Sequence, residues 1–323
     1  MASFILRRSG QALIVLIVMS ILVFIGVYVI GNPIDVLISP DVTQEIRQRV
    51  IEEYGLNQPL WKQYIDFVLK TVSGDFGRSF VFNMPVVELI SQRLPATLEL
   101  AVIAVLLASL IGVPLGVYAG YRPDGFLPKL IMAGSILGFS VPTFWIGLML
   151  IMVFAVQLGI LPAGGRGATV DLFGVPFSFL TRDGWMHLAL PVLNLALFKM
   201  AMMCRLAAAG TREVMTTDTI KFARAAGIPE GTILRKHVLK LISIPLVTVF
   251  GLELGSTLAF ALVTETIFNW PGLGKLIVDS IASLDRPVMV AYLMMVAVLF
   301  VVINLCVDLA YALLDPRLRQ KGR

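Results

Sequence analysis

Glu253 stands midway along an apolar stretch of this chain, two residues from both Gly251 and Gly255, while Lys199 and Arg205 stand in another. A lone charge in apolar surroundings is costly, so such a group finds an opposite partner or lines a route for polar cargo. Three readings stay open for Glu253: an ion pair with Lys199 or Arg205, a pathway lining, or a segment boundary drawn too wide. Asn304 and Asp308 lie one helical turn apart, and with Asn194 and Glu99 they suit hydrogen bonds between helices. No Ser/His/Asp set or carboxylate pair converges, so catalysis by this chain is not expected. The string GLGK at 272–275 lacks the upstream glycine and the following Ser/Thr of a phosphate-binding loop.

The other polar concentration is an island at 216–245 between two apolar stretches, with Lys221, Arg224, Arg235, Lys236 and Lys240. Asp218 reads as a helix N-cap and Gly227 as the C′ residue that enters the left-handed region. The eight or so residues between them make roughly 12 Å of helix. Phe222, Ala225 and Ala226 fall on one side of it, Lys221 and Arg224 on others. Pro229 suits the first turn of a second helix running through His237 towards Pro245. So short a helix is marginal in water and needs a groove or its own bundle to hold it. A solvated basic loop that only anchors topology is the plainer alternative.

The elements that must position these groups are membrane spans. Of 323 residues, 58% are hydrophobic and 15% charged, with mean hydropathy +0.88, which identifies a polytopic membrane protein. The net charge of +5 gathers beside apolar stretches, which argues against nucleic acid. Six segments are long enough to span: 11–30, 96–120, 130–157, 187–206, 242–264 and 288–314. The first, following Arg7 and Arg8, reads as an uncleaved span rather than a leader. Cys204 and Cys306 read as small buried hydrophobes, not a disulfide.

With the N-terminus inside, cytoplasmic segments hold 16 of the 26 Lys and Arg, the two short outer loops hold 4, and the long segment 32–95 holds the other 6. The positive-inside rule then puts both termini and the island in the cytoplasm. His187 and His237 fall on opposite sides, so they share no metal.

Segment 32–95 reads as an outer element with two helices. One begins with an Asp41/Gln44 capping box and repeats Val42, Ile46, Val50 and Tyr54. The other follows Pro59, with Trp61, Tyr64, Ile65, Val68, Leu69 and Val72 on one face, and ends in the turn at 74–77. Small residues four apart (Ala108, Gly112, Gly116 and Gly120; Gly134 and Gly138; Gly251 and Gly255) predict close helix packing, and Pro114, Pro142, Pro191 and Pro245 predict kinks.

KFARAAG at 221–227, with Pro245 eighteen residues after Gly227, resembles the cytoplasmic EAA-type loop of ABC importer permeases of the dipeptide, oligopeptide and nickel branch. GDFGRS at 74–79, RLPATLEL at 93–100, SVPTFWIG at 140–147, LGILPAGG at 158–165, HLALPVL at 187–193, PGLGKLIVDSI at 271–281 and LCVDLAYALLDPRLR at 305–319 look like the same branch, in order. The chain most resembles the first, or B-type, of the two permeases in such systems. Two positions depart from the general pattern: Lys221 stands where a Glu begins it, and Phe222 where an Ala is usual.

The resemblance implies an all-α, six-span type I importer permease fold in a bacterial inner membrane. Its divisions would be 1–31, an extracytoplasmic 32–95, a core 96–314 with cytoplasmic loop 207–243, and a tail 315–323. Asp218, Thr219, Lys221, Phe222, Ala223, Arg224, Ala225, Ala226 and Gly227 would form the helix that docks on an ATPase subunit, and Pro229, His237 and Pro245 would mark the lever into the fifth span. ATP and Mg would be bound by two partner ATPases. The remaining partners would be a second permease, lipid and an outer solute-binding protein, with Trp61, Tyr64, Trp270 and Arg286 as candidate contacts for the last; packing and anchoring at the membrane interface are the alternatives for each. The cargo implied is a di- or oligopeptide or a similar small solute. A nickel or glutathione importer is the alternative within the branch, and a self-contained secondary carrier the alternative outside it.

Overall fold

The computed structural model describes residues 2–26, 45, 48 and 57–314. The expected capping box at Asp41 lies outside them. Residues 45 and 48 are helical, and the elements with described bounds follow in order: α1 (Ala2–Phe24), α2 (Leu60–Ser73), α3 (Val86–Tyr121), α4 (Phe126–Ser140), α5 (Thr143–Gln157), β1 (Val170–Leu172), β2 (Val175–Phe177), α6 (Arg182–Met215), α7 (Asp218–Ala225), α8 (Glu230–Phe260), α9 (Leu262–Ile267), α10 (Leu273–Ala282) and α11 (Arg286–Leu314).

Helices α3, α6, α8 and α11 are long and apolar enough to cross a membrane, and α1 contributes a shorter apolar stretch, Arg8–Phe24. The expected span 130–157 is not one rod. It breaks between α4 and α5, which diverge by 102°. The cause is local: Pro142 disfavours helical backbone at Val141, whose φ is −92° and ψ 131°. The last seven residues of α5, Ile151–Gln157, and a stretch of α8, Ile233–Val238, are wound as π-helix. Pro114, Pro191 and Pro245 lie inside continuous helices. The β1–β2 hairpin, paired Val170 with Phe177, was not foreseen; its connection carries Gly174 at positive φ.

The described chain forms two compact units, 1–94 with 276–301 and 95–275 with 302–323. In the first, Val23 and Phe24 of α1, Phe67 of α2, and Val290 and Met294 of α11 make a small core. The turn after α2 is built as expected, with Gly74 and Gly77 both at φ 76°. It continues into a loop held by Asp285, whose buried carboxylate accepts from the Ser79 hydroxyl and from the backbone N–H groups of Phe80 and Val81. The face expected on α2 divides: Tyr64 and Val68 pack on that core while Trp61, Ile65, Leu69 and Val72 stay exposed.

In the second unit α3 and α6 approach most closely at three glycines. A Cβ on Gly112, Gly116 or Gly120 would collide with the carbonyl oxygens of Met200, Cys204 and Ala208 in turn. Three glycines four apart thus face three carbonyls four apart, the small-residue contact that replaces hydrophobic drive between spans. Gly251 receives the Val307 side chain of α11. Gly134 has open space instead, so the pair at 134 and 138 makes no such seam. Cys204 is buried, but Cys306 is exposed.

Candidate functional site

At the end of α6, Thr216 and Thr217 turn their hydroxyls back to the carbonyls of Glu213 and Val214. Thr217, not Asp218, occupies the N-cap position of α7, and its hydroxyl, already donated backwards, makes no cap bond. Asp218 sits in the first turn, where a negative charge favours the helix dipole, and accepts from Lys221 Nζ at 2.8 Å. At the other end Gly227, φ 75°, closes the helix as expected. Gly227 N–H donates to Arg224 O and Ile228 N–H to Ala223 O, the paired bonds of a Schellman ending.

One face of α7 is anchored. Ile220 and Ala223 are buried with Ile233, Val238 and Ile242 of α8, and Val117, Val214, Met215 and Ile228 pack around them. This is the bundle that so short a helix requires. The other face stands out: Phe222 is 78% exposed, and Ala225 and Ala226 are exposed beside it. Across the turn, Arg224 Nε and Nη2 reach the Glu230 carboxylate at 2.6 and 3.3 Å. That contact raises the already high pKa of the guanidinium. Pro229 is the N-cap of α8 rather than a first-turn residue, and its carbonyl accepts from Thr232 and Ile233. His237 lies half-buried in the π-wound stretch, and Pro245 lies two turns further on.

Deeper in the bundle, Lys199 Nζ of α6 donates to Glu253 Oε2 of α8 at 2.6 Å, with side chains only 9% and 12% exposed. The ion-pair reading of Glu253 is thus the arrangement found, with Lys199 as partner. Asn194 Nδ2 donates to Thr264 Oγ1 at 2.9 Å, a helix-to-helix bond as expected. Glu99 differs. It holds not another span but the segment between α5 and α6, accepting from Arg166 Nη2 at 2.9 Å and from Phe179 N–H at 2.6 Å. Arg166 also donates to Pro176 O in the hairpin.

Sequence reasoning missed Glu265, which is fully buried near the end of α9, just before the turn to α10. Its carboxylate accepts from Thr97 Oγ1 of α3 at 2.6 Å and from Lys275 N–H at 2.9 Å; Leu273 N–H donates to Thr97 Oγ1 at 2.7 Å. A Cβ on Gly272 would overlap that carboxylate, and one on Gly274 would strike the Leu262 backbone. An acid followed by Pro-Gly-Leu-Gly was the available signal, read only as a failed phosphate loop.

Of the four candidate contacts for a soluble partner, Trp61 is 65% exposed. Tyr64 is turned inward, its hydroxyl 2.8 Å from Ser20 Oγ and its ring against Phe24. Arg286 is half-buried at the start of α11. Trp270 must be withdrawn: it has no exposed surface, donates its indole N–H to Ala96 O at 2.9 Å, and fills the core with Leu100, Leu188 and Val192.

Residues 112–320 match the family model described as the binding-protein-dependent transport system inner membrane component, and residues 1–101 match the model of the N-terminal part of such membrane components. The oligopeptide transport system permease protein AppB of Bacillus subtilis (strain 168) is 40% identical over 98% of this chain and 99% of its own. The dipeptide permease protein DppB and the glutathione permease protein GsiC of Escherichia coli (strain K12) are 33% and 34% identical over 99% of this chain and all of theirs. Among solved structures, a chain of the inward-facing methionine ABC transporter MetNI superposes with a TM-score of 0.55 at 18% identity, covering 68% of this chain and 93% of that one. This last likeness is one of fold.

Proposed function

The chain belongs to the family of inner membrane components of binding-protein-dependent transport systems, and from that footing we propose that it is the B-type permease subunit of an ATP-driven importer of peptides. The relatives named for oligopeptides, dipeptides and glutathione all point to peptide-like cargo. In this reading six helical crossings, α4 with α5 counting as one, leave both termini in the cytoplasm. Residues 32–95 lie on the outer side, 96–314 form the core, and 315–323 form a cytoplasmic tail. A homologous permease supplies the other half of the pathway, two ATPases bind ATP and Mg, and an outer binding protein delivers the solute.

The observation that carries the reading is α7. Its buried Ile220 and Ala223 fix it to α3, α6 and α8, while Phe222 on its other face is 78% exposed. An ATPase cleft that accepts Phe222 would move α7, and the segment from Pro229 to Pro245 would carry that motion into α8. Lys199 and Glu253 are here a strut between α6 and α8 rather than a cargo site.

Purification from the native host in mild detergent tests this. Phe222→Ala should leave the chain in the membrane at parental levels yet lose most co-purifying ATPase and ATP-dependent peptide uptake. Retention of both, or uptake by the chain alone without ATP, would sink the proposal.

A further inference from the structure

Helix α2 carries three longitudinal sectors where an ordinary surface helix carries two. At about 100° per residue, Tyr64, Phe67 and Val68 share one sector and pack on α1 and α11. Lys62, Asp66, Lys70 and Ser73 share another, which is exposed. Between them runs a second apolar stripe at spacings of four, four and three: Trp61, Ile65, Leu69 and Val72, exposed by 65, 47, 63 and 82%. Four large apolar side chains in line are too many for a face turned to water.

The packing of α2 fixes its depth. Tyr64 Oη lies 2.8 Å from Ser20 Oγ, and the Tyr64 and Phe67 rings lie 5.3 and 5.8 Å from that of Phe24. Within α1, Arg8–Phe24 is an apolar helix. It rises about 24 Å, which is roughly 6 Å less than the hydrocarbon is thick. With Arg7 and Arg8 held at one boundary, Phe24 ends inside the other, and Ser20 lies about one helical turn deeper. The partners of α2 therefore sit below the headgroups. On α1 itself Leu13, Ile14, Ile17, Val18, Ile21 and Leu22 are exposed, as a lipid-facing helix requires.

We propose that α2 lies along the bilayer boundary at the C-terminal end of α1, with Trp61, Ile65, Leu69 and Val72 in contact with acyl chains and Lys62, Asp66 and Lys70 towards water. Trp61 is the interfacial anchor such a helix uses. This assigns Trp61 to lipid rather than to a soluble partner, and it holds whichever solute is carried.

Tryptophan quenching decides it. The transporter and its Trp61→Phe variant are returned to phosphatidylcholine vesicles containing lipid brominated near the top of the acyl chain. The difference between the two signals is the Trp61 emission. That emission should fall at least twofold with the brominated lipid and resist aqueous acrylamide. Quenching by acrylamide but not by lipid would place the stripe in water. Resistance to both would mean that protein covers it. Either result overturns the proposal. Val72→Trp in the Trp61→Phe background repeats the test from the far end of α2 and should give the same pattern.

Discussion

Lys199 and Glu253 are the residues whose chemistry was most legible, and their structure makes a firm demand. A buried pair broken on one side leaves an uncompensated charge, at a cost of about 3–5 kcal/mol, whereas replacing both partners with apolar groups can be nearly neutral. Lys199→Met or Glu253→Leu alone should therefore lower the detergent melting temperature sharply, and the double variant should recover most of the loss. If the double variant melts as low as the singles, the pair does not act as a strut. Glu265 makes a parallel case. Glu265→Ala leaves the Thr97 hydroxyl and the Lys275 N–H without this acceptor, at about 1–3 kcal/mol for each buried group left unpaired. Limited proteolysis between Phe268 and Lys275 should then become faster. The sequence exposed Lys199 and Glu253 because each interrupts an apolar run. Glu265 and Trp270 sit where the run has ended, and there nothing in residue type distinguishes a buried side chain from a surface one.

At the scale of elements, the two helices of the polar island and the glycine turn between them were legible, but the caps were each one residue off: Thr217 rather than Asp218 precedes α7, and Pro229 precedes α8 rather than lying in its first turn. Gly227 ends α7 in the left-handed backbone that was expected of it. Gly227→Ala should cost about 1 kcal/mol at that turn, seen as faster amide exchange through 220–228 with the spans unchanged. The burial of Ile220 and Ala223 was not legible, because a short helix shows its inner face only against the helices that receive it. The same holds for α2: periodicity showed its apolar arc, but only packing shows that the arc divides in two. The break between α4 and α5 was half legible, since Pro142 marked the place but not the angle. The hairpin was missed because strands of three residues carry too little alternation to read.

Taken whole, the chain is written in hydropathy and basic residues, which is why its class could be read at once; of the six expected spans, four are single helices long and apolar enough to cross a membrane. Which helices touch was written more faintly, in the spacing of glycines. Gly112, Gly116 and Gly120 predicted a close contact and have one, while Gly134 does not. Gly116→Leu should therefore separate α3 from α6 and reduce folded, membrane-inserted protein severalfold, whereas Gly134→Leu should be tolerated; size-exclusion yield in detergent measures both.

The glycine seam has one more consequence. The pocket that holds α7 draws Val117 from α3 and Val214 and Met215 from α6, and the same two helices are locked backbone to backbone along the seam. Under the proposed coupling, a load applied at Phe222 would enter two helices that meet backbone to backbone at three glycines. In the proposed coupling, strain arriving at that end would pass into α8, a further wall of the pocket and one wound in part as π-helix.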